Sequence, residues 1–293
     1  MSIALCLSFI LFACSTDESV EEFTNLNDDS KHGMVQQTHL FRDVSYGNHS
    51  QQTYDIYLPE IRSYTSTKVL ILVHGGGWMA GDKSTLHHYI ESLQQTNPEY
   101  AIVNMNYITA TPGDHHAFPG QFHDIKSVIN SIKQNKFTFQ VKPEFGLIGA
   151  SAGGHLTLMY DYVFDQDDDV KFVCSIAGPT NFDHPFYTER PDFFQLMDIL
   201  VDDTVYPNIQ NNLDLLSPLA QVSNRTSPTI LFYGSNDIKV PVDNAYDLRN
   251  SLTHHGISNS LTVFDEGHGN WSEENRKILD EMLSGFIYKQ LPL

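Results

Sequence analysis

Short apolar runs alternate with amphipathic stretches along most of this chain. Eight runs have the length and the β-branched or aromatic content of strands, and they cover residues 40–46, 52–58, 68–73, 100–105, 145–149, 172–177, 229–233 and 261–265. The first two are close enough to pair as an antiparallel hairpin. Helical stretches separate most of the later runs, and at 122–134 apolar residues recur at the spacing of a helix face. This alternation predicts an α/β fold with an eight-stranded, mostly parallel sheet and helices on both faces.

One long segment interrupts the alternation. Residues 178–228 contain several aromatic side chains among many acidic ones, and no simple strand–helix unit accounts for them. Long connections of this kind are usually functional, so we expect a cap-like insertion whose aromatic residues form part of a substrate pocket. The alternative is a satellite helical hairpin that only covers the core.

The composition is that of one globular domain, which we place at residues 35–293. Of the 293 residues, 41% are hydrophobic and 12% are aromatic. The formal net charge of −19 disfavours nucleic acids and other strongly anionic polymers as partners. The acidic run 165–169 lacks the glycine and the distal glutamate of a calcium loop, and no histidine or cysteine spacing suggests zinc. We therefore expect neither a metal nor a cofactor.

Residues 149–153 have the sequence Gly-Ala-Ser-Ala-Gly and lie between a predicted strand and a predicted helix. A serine on such a sharp turn is held in a strained backbone conformation, with its hydroxyl clear of the sheet. The two glycines let strand and helix approach closely, and the flanking alanines leave the hydroxyl accessible. The pattern indicates that Ser151 is a catalytic nucleophile.

A glycine turn follows the apolar strand predicted at 68–73. Residues 74–78 are His-Gly-Gly-Gly-Trp, and three consecutive glycines allow the main chain to direct its N–H groups into a cavity. Acyl transfer places negative charge on a carbonyl oxygen, and fixed N–H donors aimed at that oxygen stabilise it. We assign the oxyanion hole to Gly76, Gly77 and Ala152, the residue after the nucleophile.

These two motifs make the chain resemble the α/β-hydrolases, and among them the carboxylesterases of the hormone-sensitive-lipase type and the bacterial dienelactone-hydrolase-like feruloyl and acetyl esterases. The resemblance extends over nearly everything from residue 40 to the C-terminus. The matching pieces are 54–59, 74–78, 81–83, 106–107, 149–153, 234–237 and 266–268. It implies the α/β-hydrolase fold, a serine mechanism and an ester substrate.

In this fold the acid and the histidine follow the nucleophile in that order along the chain. Asp237 and His268 each lie four residues beyond a predicted strand, at the sheet edge that carries Ser151. His268 would accept the Ser151 proton, and Asp237 would orient the imidazole. Three other acids compete with Asp237. They are Asp243 and Asp247 in the following helix and Asp265 at the end of the last strand.

The N-terminus predicts export. Residues 3–13 form an apolar run that is too short to span a bilayer and suits the core of a signal peptide, although no Lys or Arg precedes it. The run closes with Leu-Phe-Ala-Cys, which resembles a bacterial lipoprotein cleavage box. We therefore expect a signal peptide at 1–13, a lipid anchor on Cys14 and an acidic tether at 14–34, with membrane attachment only through that anchor. The alternatives are a plainly exported protein cleaved near Ala13 and a cytoplasmic protein whose apolar start is part of the fold.

The function expected from these features is hydrolysis of carboxylic esters through an acyl-enzyme on Ser151. The substrate would be a small molecule or an oligosaccharide ester, such as an acetyl or feruloyl group on a polysaccharide fragment, and this choice comes from the resemblance. One alternative is an amide hydrolase of the arylformamidase type. Another is a catalytically silent hydrolase fold that only binds its ligand.

Overall fold

The computed structural model describes residues 35–36, 38–269 and 271–293. The predicted signal peptide, acidic tether and Cys14 anchor lie outside the described residues. Within those residues, no helix combines the length and apolar character needed to cross a membrane.

Eight strands form the central sheet. They are β1 (His39–Ser45), β2 (Thr53–Leu58), β3 (Val69–Val73), β4 (Ala101–Met105), β5 (Phe145–Ala150), β6 (Val170–Ile176), β7 (Thr229–Gly234) and β8 (Asn259–Phe264). Their order across the sheet is β8-β7-β6-β5-β3-β4-β2-β1. The pairs β1–β2 and β2–β4 are antiparallel, and the other five pairs are parallel.

The strand predictions are confirmed, with every boundary within two residues of the expected one. The predicted hairpin is the β1–β2 pair, which contains a register shift between Phe41 and Val44. A second, two-stranded ladder pairs Val35–Gln36 with Ile61–Arg62, and the sequence did not predict it. Two-residue strands have no periodicity of their own, so the hydrophobic pattern cannot reveal them.

Nine α-helical segments occur in the described residues. They are α1 (His87–Thr96), α2 (Gly120–Gln134), α3 (Lys136–Phe139), α4 (Ala152–Met159), α5 (Pro185–Thr188), α6 (Phe193–Leu200), α7 (Pro218–Gln221), α8 (Asp243–His254) and α9 (Glu273–Gln290). A π-helical turn at Tyr160–Phe164 extends α4. Short 3₁₀ turns occur at Lys83–Leu86, Ile209–Asn211 and Leu213–Leu216.

Helices cover both faces of the sheet because its central strands are apolar on both sides. All five residues of β3 are buried, and alternate residues enter different core clusters: Val69 and Val73 on one face, Leu70 and Leu72 on the other. Apolar residues of α2, α4 and α8 belong to the first cluster, whereas those of α1 and α9 belong to the second. The α/β-hydrolase architecture expected from the sequence is therefore confirmed.

The segment 178–228 holds α5, α6 and α7 with two of the 3₁₀ turns, and it leaves the sheet after β6 and returns at β7. Its buried aromatic residues Phe182, Tyr187 and Phe193 pack against the core cluster that contains α4. Helix α4 and this segment are therefore in direct contact, and together they bound a cavity beside Ser151.

Candidate active site

Ser151 lies at the junction of β5 and α4, on a turn whose backbone is strained. Its φ of +53° and ψ of −120° are values that residues with a Cβ rarely adopt. Close packing holds the turn in place: a Cβ added to Gly153 would lie 2.1 Å from the carbonyl oxygen of Val73. Glycine at 153 thus permits the close approach of α4 to β3, and Gly149, whose added Cβ would lie 2.2 Å from the carbonyl oxygen of Gly153, permits the approach of α4 to β5 that the sequence predicted.

Three side chains from loops at the same sheet edge form a continuous hydrogen-bonded row. Ser151 Oγ lies 2.8 Å from Nε2 of His268, and His268 Nδ1 lies 2.6 Å from Oδ2 of Asp237. The parallel register of β7 and β8, which pairs Gly234 with Phe264, brings the loops that carry Asp237 and His268 side by side. The arrangement is that of a nucleophile, a general base and an acid that orients the base.

The environment of Asp237 keeps its carboxylate ionised. Burial would raise the pKa of Asp237, but the hydrogen bond from His268 and the amide N–H groups of Val240 and Lys239 together outweigh it and hold the pKa below its usual value. The two amides donate to Oδ1 at 3.0 and 2.8 Å, which leaves Oδ2 for the imidazole. Because the carboxylate of Asp237 is held in this way, it also holds the orientation of the His268 ring that donates to it.

The three competing acids occupy other positions. Asp243 begins α8 and Asp247 lies within it, while Asp265 accepts hydrogen bonds from Ser235 and Asn236. In the described part of the chain, none of the three is hydrogen-bonded to His268. Geometry therefore singles out Asp237.

The glycine turn after β3 has positive φ at two of its glycines and lines the cavity at Ser151. Gly76 and Gly77 have φ of +124° and +59°, and both line the same cavity as Ser151 and Ala152. Over the described residues, the amide N–H groups of Gly77 and Ala152 donate no hydrogen bond. Ala152 is the first residue of α4, so its N–H also benefits from the positive end of the helix. Both amides are available to a developing oxyanion.

Aromatic and amide side chains contact the glycine turn and hydrogen-bond to its carbonyl groups. His74 stacks on Tyr107 with ring centroids 4.2 Å apart, and its Nδ1 lies 2.6 Å from the carbonyl oxygen of Gly75. Tyr107 donates to the carbonyl of His74 at 3.0 Å, and Gln121 donates to the carbonyl of Trp78 at 2.8 Å. Burial lowers the pKa of His74. These contacts hold the main chain of the glycine turn in place.

A buried lysine holds the far end of the same turn. Lys83 forms ion pairs with Asp43 in β1 and Asp55 in β2. Its backbone N–H donates to Asn106 at 2.6 Å, and its carbonyl accepts from Asn104 at 2.7 Å. The chain after the glycine turn is therefore fixed to β1 and β2 as well as to β4, which limits movement of the turn.

The cavity beside Ser151 on the cap side has a volume of about 460 Å³. Most of its wall comes from the 178–228 segment, with Phe182, Tyr187, Phe193, Leu196, Met197 and Leu200 as the lining residues. Arg190 and Lys239 lie at its rim beside Asp192. The wall is mainly apolar and falls within the size range of small-molecule sites.

A second cavity, of about 590 Å³, lies on the other side of Ser151. His88, Tyr89, Trp271 and Arg276 line it, and sequence reasoning missed all four as site residues. His88 is an exposed residue at the start of α1, so nothing in its local sequence sets it apart. No motif marks these residues, because α1 and α9 meet only through the tertiary fold.

The acidic run 165–169 is occupied by internal contacts. Asp165 accepts the amide N–H groups of Asp169 and Val170 at 3.1 and 2.8 Å, and Asp169 pairs with Lys133 at 2.6 Å. Asp168 pairs with Lys171 at 2.9 Å. Within the residues that the structure describes, no group of three or more His, Cys, Asp or Glu side chains is placed to hold a metal ion.

A family model matches residues 54–252, which extend from β2 to the end of α8 and include Ser151, Asp237 and the glycine turn. The description of that model is BD-FAE. The chain belongs to the BD-FAE family. His268 lies beyond the matched range, so its place in the site rests on the geometry above.

Relatives of this BD-FAE chain include two curated proteins. Esterase LipC of Mycobacterium tuberculosis is 25% identical over 247 residues, which cover 78% of this chain and 59% of LipC. Dipeptidyl aminopeptidase BIII of Pseudoxanthomonas mexicana is 27% identical over 234 residues, covering 75% of this chain and 32% of the peptidase. The BD-FAE chain thus spans less than two thirds of the length of both.

Solved structures agree on the fold. A truncated carbohydrate esterase from gut microbiota superposes with a TM-score of 0.71 at 18% identity, over 87% of this chain and 97% of that one. At this identity the likeness establishes a common architecture for the BD-FAE chain and the esterase.

Proposed function

We propose that this protein is a serine hydrolase that cleaves carboxylic esters. The observation that carries the proposal is the row of contacts from Ser151 through His268 to Asp237, at 2.8 and 2.6 Å. Beside it lie the amide N–H groups of Gly77 and Ala152, which donate no hydrogen bond within the described residues. Membership of the BD-FAE family and relatives named as esterases support the same reaction. The catalytic roles of these residues are part of the proposal.

The first half of the reaction acylates the serine. Ser151 Oγ attacks the carbonyl carbon of the ester while its proton passes to Nε2 of His268. The carbonyl oxygen becomes an oxyanion, which the N–H groups of Gly77 and Ala152 stabilise, with Gly76 shaping the turn. When the carbon–oxygen bond to the alcohol breaks, His268 gives the proton to the departing oxygen. The alcohol leaves, and the acyl group stays on Ser151.

The second half repeats these steps with water. His268 takes a proton from water, whose oxygen attacks the acyl carbon, and the same amides hold the second oxyanion. The proton then returns to Ser151 Oγ as the acid is released. Asp237 holds the Nδ1 hydrogen throughout, so that Nε2 faces the nucleophile in each half.

The substrate we propose is a small-molecule or oligosaccharide ester, such as an acetyl or feruloyl group on a polysaccharide fragment. The structural neighbour named as a carbohydrate esterase supports this class. Amide hydrolysis is the second candidate, because one relative is named as a dipeptidyl aminopeptidase. Comparison of a 4-nitrophenyl ester with the matching 4-nitroanilide separates the two reactions.

Labelling with a fluorophosphonate probe tests the serine mechanism directly. Wild-type protein should lose 4-nitrophenyl acetate hydrolysis as one probe molecule attaches to Ser151, as judged by peptide mass. Ser151→Ala should remain folded, resist labelling and lose several orders of magnitude in kcat, keeping only the rate that the oxyanion donors supply. Labelling of Ser151→Ala to the wild-type extent, or half of the wild-type turnover in that variant, contradicts the proposal. A fold that only binds its ligand would show neither labelling nor turnover.

We also propose that the protein is exported and held on the cell envelope by lipid on Cys14. The support is the apolar run at 3–13 followed by a cysteine and an acidic stretch. Two or more acyl chains, at about 0.8 kcal/mol per buried CH₂, hold a protein stably on a membrane. Wild type should partition into detergent, and Cys14→Ser should become soluble with unchanged esterase activity. An unmodified Cys14 by intact mass would contradict this proposal alone.

A further inference from the structure

Two cavities meet at the nucleophile. Gly76, Ser151 and His268 line both of them, whereas every other lining residue belongs to one side only. An ester has two halves that must extend from the reacting carbon in different directions. A site with one cavity on each side of Ser151 can therefore hold the acyl group and the alcohol separately.

The cap-side cavity suits an apolar group. Phe182, Phe193 and Met197 on its wall are each at most 5% exposed, so the wall is a continuation of the core. Gly77 and Ala152, which carry the free amides, line this side alone. An acyl chain that enters here places its carbonyl oxygen close to both donors.

The opposite cavity has a larger polar share in its lining than the cap-side cavity has, and it continues across the surface. It is lined by Thr85, His88, Tyr89 and Arg276, and a smaller cavity of about 210 Å³ shares the last three of these residues. That second part extends between α1 and α9 to Glu273, Lys277 and Asp280. The two parts together form a groove, here called the α1–α9 groove, that leads from the nucleophile to the exposed side of α9.

The α1–α9 groove offers both donors and acceptors. Arg276 and the imidazole of His88 can donate and Asp280 can accept, whereas Lys277 and Glu273 are paired with each other at 2.8 Å. Tyr89 is half-buried against the core cluster, and the structure gives its hydroxyl no hydrogen-bond partner within the described residues. Sugar hydroxyls both donate and accept, so a groove of mixed polarity with an aromatic side chain suits a glycan better than it suits an aliphatic chain.

The direction of proton transfer favours the same assignment. His268 must deliver its proton to the oxygen of the departing alcohol. Gly269 and Trp271, which follow His268 in the chain, line the groove and not the cap-side cavity. Because His268 itself also lines the groove, an alcohol held there lies next to the imidazole that must protonate it.

We infer that the α1–α9 groove binds the alcohol half of the substrate as a neutral oligosaccharide, with Arg276, His88 and Tyr89 as specificity-determining residues. The cap-side cavity binds the acyl half. This inference rests on the proposed esterase function and adds to it the location and the chemistry of the leaving group.

The test compares one acyl group on two alcohols. Acetylated xylotetraose, mannotetraose and cellotetraose fill the groove, whereas 4-nitrophenyl acetate reaches only its start. Arg276→Ala should lower kcat/KM on the preferred tetraose about tenfold relative to 4-nitrophenyl acetate, mainly through KM, because it removes a charged donor. Tyr89→Phe, which keeps the ring, should lower the same ratio by a smaller factor.

Two controls make the result specific. Arg249→Ala removes an exposed arginine of α8 that contacts Asn250, so the ratio should stay at its wild-type value. Leu196→Ala, on the cap side, should change acyl preference and leave the ratio between alcohols alone. Circular dichroism of each variant checks that it is folded.

The outcomes separate the inference from the function on which it rests. Equal losses on both substrates in Arg276→Ala overturn the groove assignment. So does wild-type protein that hydrolyses 4-nitrophenyl acetate but none of the three acetylated tetraoses. Absence of 4-nitrophenyl acetate hydrolysis together with absence of fluorophosphonate labelling would instead remove the esterase proposal itself.

Discussion

The Nε2 atom of His155 lies 2.8 Å from the carbonyl oxygen of Leu216. A carbonyl oxygen only accepts, so Nε2 carries the hydrogen and Nδ1 is the acceptor, which has no partner in the described part of the chain. His155 is fully buried among aromatic rings, with Trp78 and Phe182 at centroid distances of 5.4 and 4.9 Å. One side chain thus joins the nucleophile helix α4, the glycine turn and the 178–228 segment.

Removal of this link should loosen the cap without changing the reacting atoms. His155→Phe keeps a ring but leaves the Leu216 carbonyl unpaired, at a cost of about 1–3 kcal/mol in unfolding free energy. We expect a lower midpoint in urea and a broader acyl-chain preference, measured on 4-nitrophenyl esters of increasing length. His123→Phe, at a surface histidine of α2, serves as the control. Unchanged stability in His155→Phe would show that the link contributes nothing.

The acid can be tested against its neighbours on the next helix. Asp237→Asn should lower kcat by about 10⁴, because an amide can donate to Nδ1 and so favour the wrong tautomer of His268. Asp243→Asn and Asp247→Asn, in α8, should stay within a few-fold of wild type. Steady-state kinetics on 4-nitrophenyl acetate decides the matter, and a larger loss in Asp243→Asn than in Asp237→Asn would refute the assignment.

Gly153 in the turn after Ser151 is closely packed and Gly285 is not, so Gly→Ala substitutions at the two positions should have opposite effects. Ala at Gly153 would bring its Cβ 2.1 Å from the carbonyl oxygen of Val73, so that α4 must move, and both melting temperature and activity should fall. Gly285 lies in the exposed part of α9 with no atom within 4 Å of such a Cβ. Gly285→Ala should raise stability by about 0.4–1 kcal/mol. Differential scanning calorimetry of both variants tests the pair together.

The apolar wall under the cap should set acyl-chain preference. Leu196→Ala enlarges the cap-side cavity next to Ser151, so kcat/KM should rise for octanoyl relative to acetyl esters. Leu215→Ala changes a 47% exposed residue of the same segment that lies outside the cavity lining, and it is the control. If both variants keep the wild-type ratio of octanoyl to acetyl hydrolysis, the segment is only a cover for the core.

A buried carboxyl in the π-helical turn, that of Asp161, predicts how stability depends on pH. Burial raises the pKa of Asp161 to about 7, and Asp165 and Asp168 add to the effect, while hydrogen bonds from Ser227 oppose it. The unfolded chain releases this proton near pH 3.8 and the folded chain retains it until about pH 7, so this group destabilises the fold as pH rises between those values. Asp161→Asn, which can still accept from the Ser227 amide, should lose less stability than wild type between pH 5 and pH 8. Parallel slopes of melting temperature against pH would contradict this.

The sequence predicted those parts of the molecule that have a local signature. Periodicity and glycine spacing were enough to locate the strands, the turn that carries Ser151 and the glycine turn, because each depends on residues within about ten positions. Asp237 and His268 required one more rule, that loops after parallel strands meet at one sheet edge. The contact of 2.6 Å between them satisfies that rule.

The remaining features depend on contacts between distant segments. Arg276 and His88 line one cavity although 188 positions separate their numbers in the chain, because α1 and α9 pack on the same face of the sheet. Lys83 can pair with Asp43 and Asp55 only when β1 and β2 have joined the sheet. Neither arrangement has a spacing that a single sequence could reveal, since each depends on how the sheet is folded in three dimensions.

The 178–228 segment leaves the sheet after β6 and returns at β7, and these two strands pair directly with each other. Val173 pairs with Thr229 and Ile176 with Phe232, so the β6–β7 register does not depend on the content of residues 178–228. Substitutions or length changes in that stretch can therefore alter which esters are accepted while the reacting groups keep their alignment. A segment transplanted from a homologue would have to keep its contacts with the domain, among them the carbonyl that meets His155, the Thr180 backbone and hydroxyl that meet Asn244, and the Leu200 carbonyl that meets the amide of Phe118. If the 178–228 segment binds the acyl group, as proposed, related chains can differ in ester preference through this segment while the sheet that holds Ser151, Asp237 and His268 stays the same.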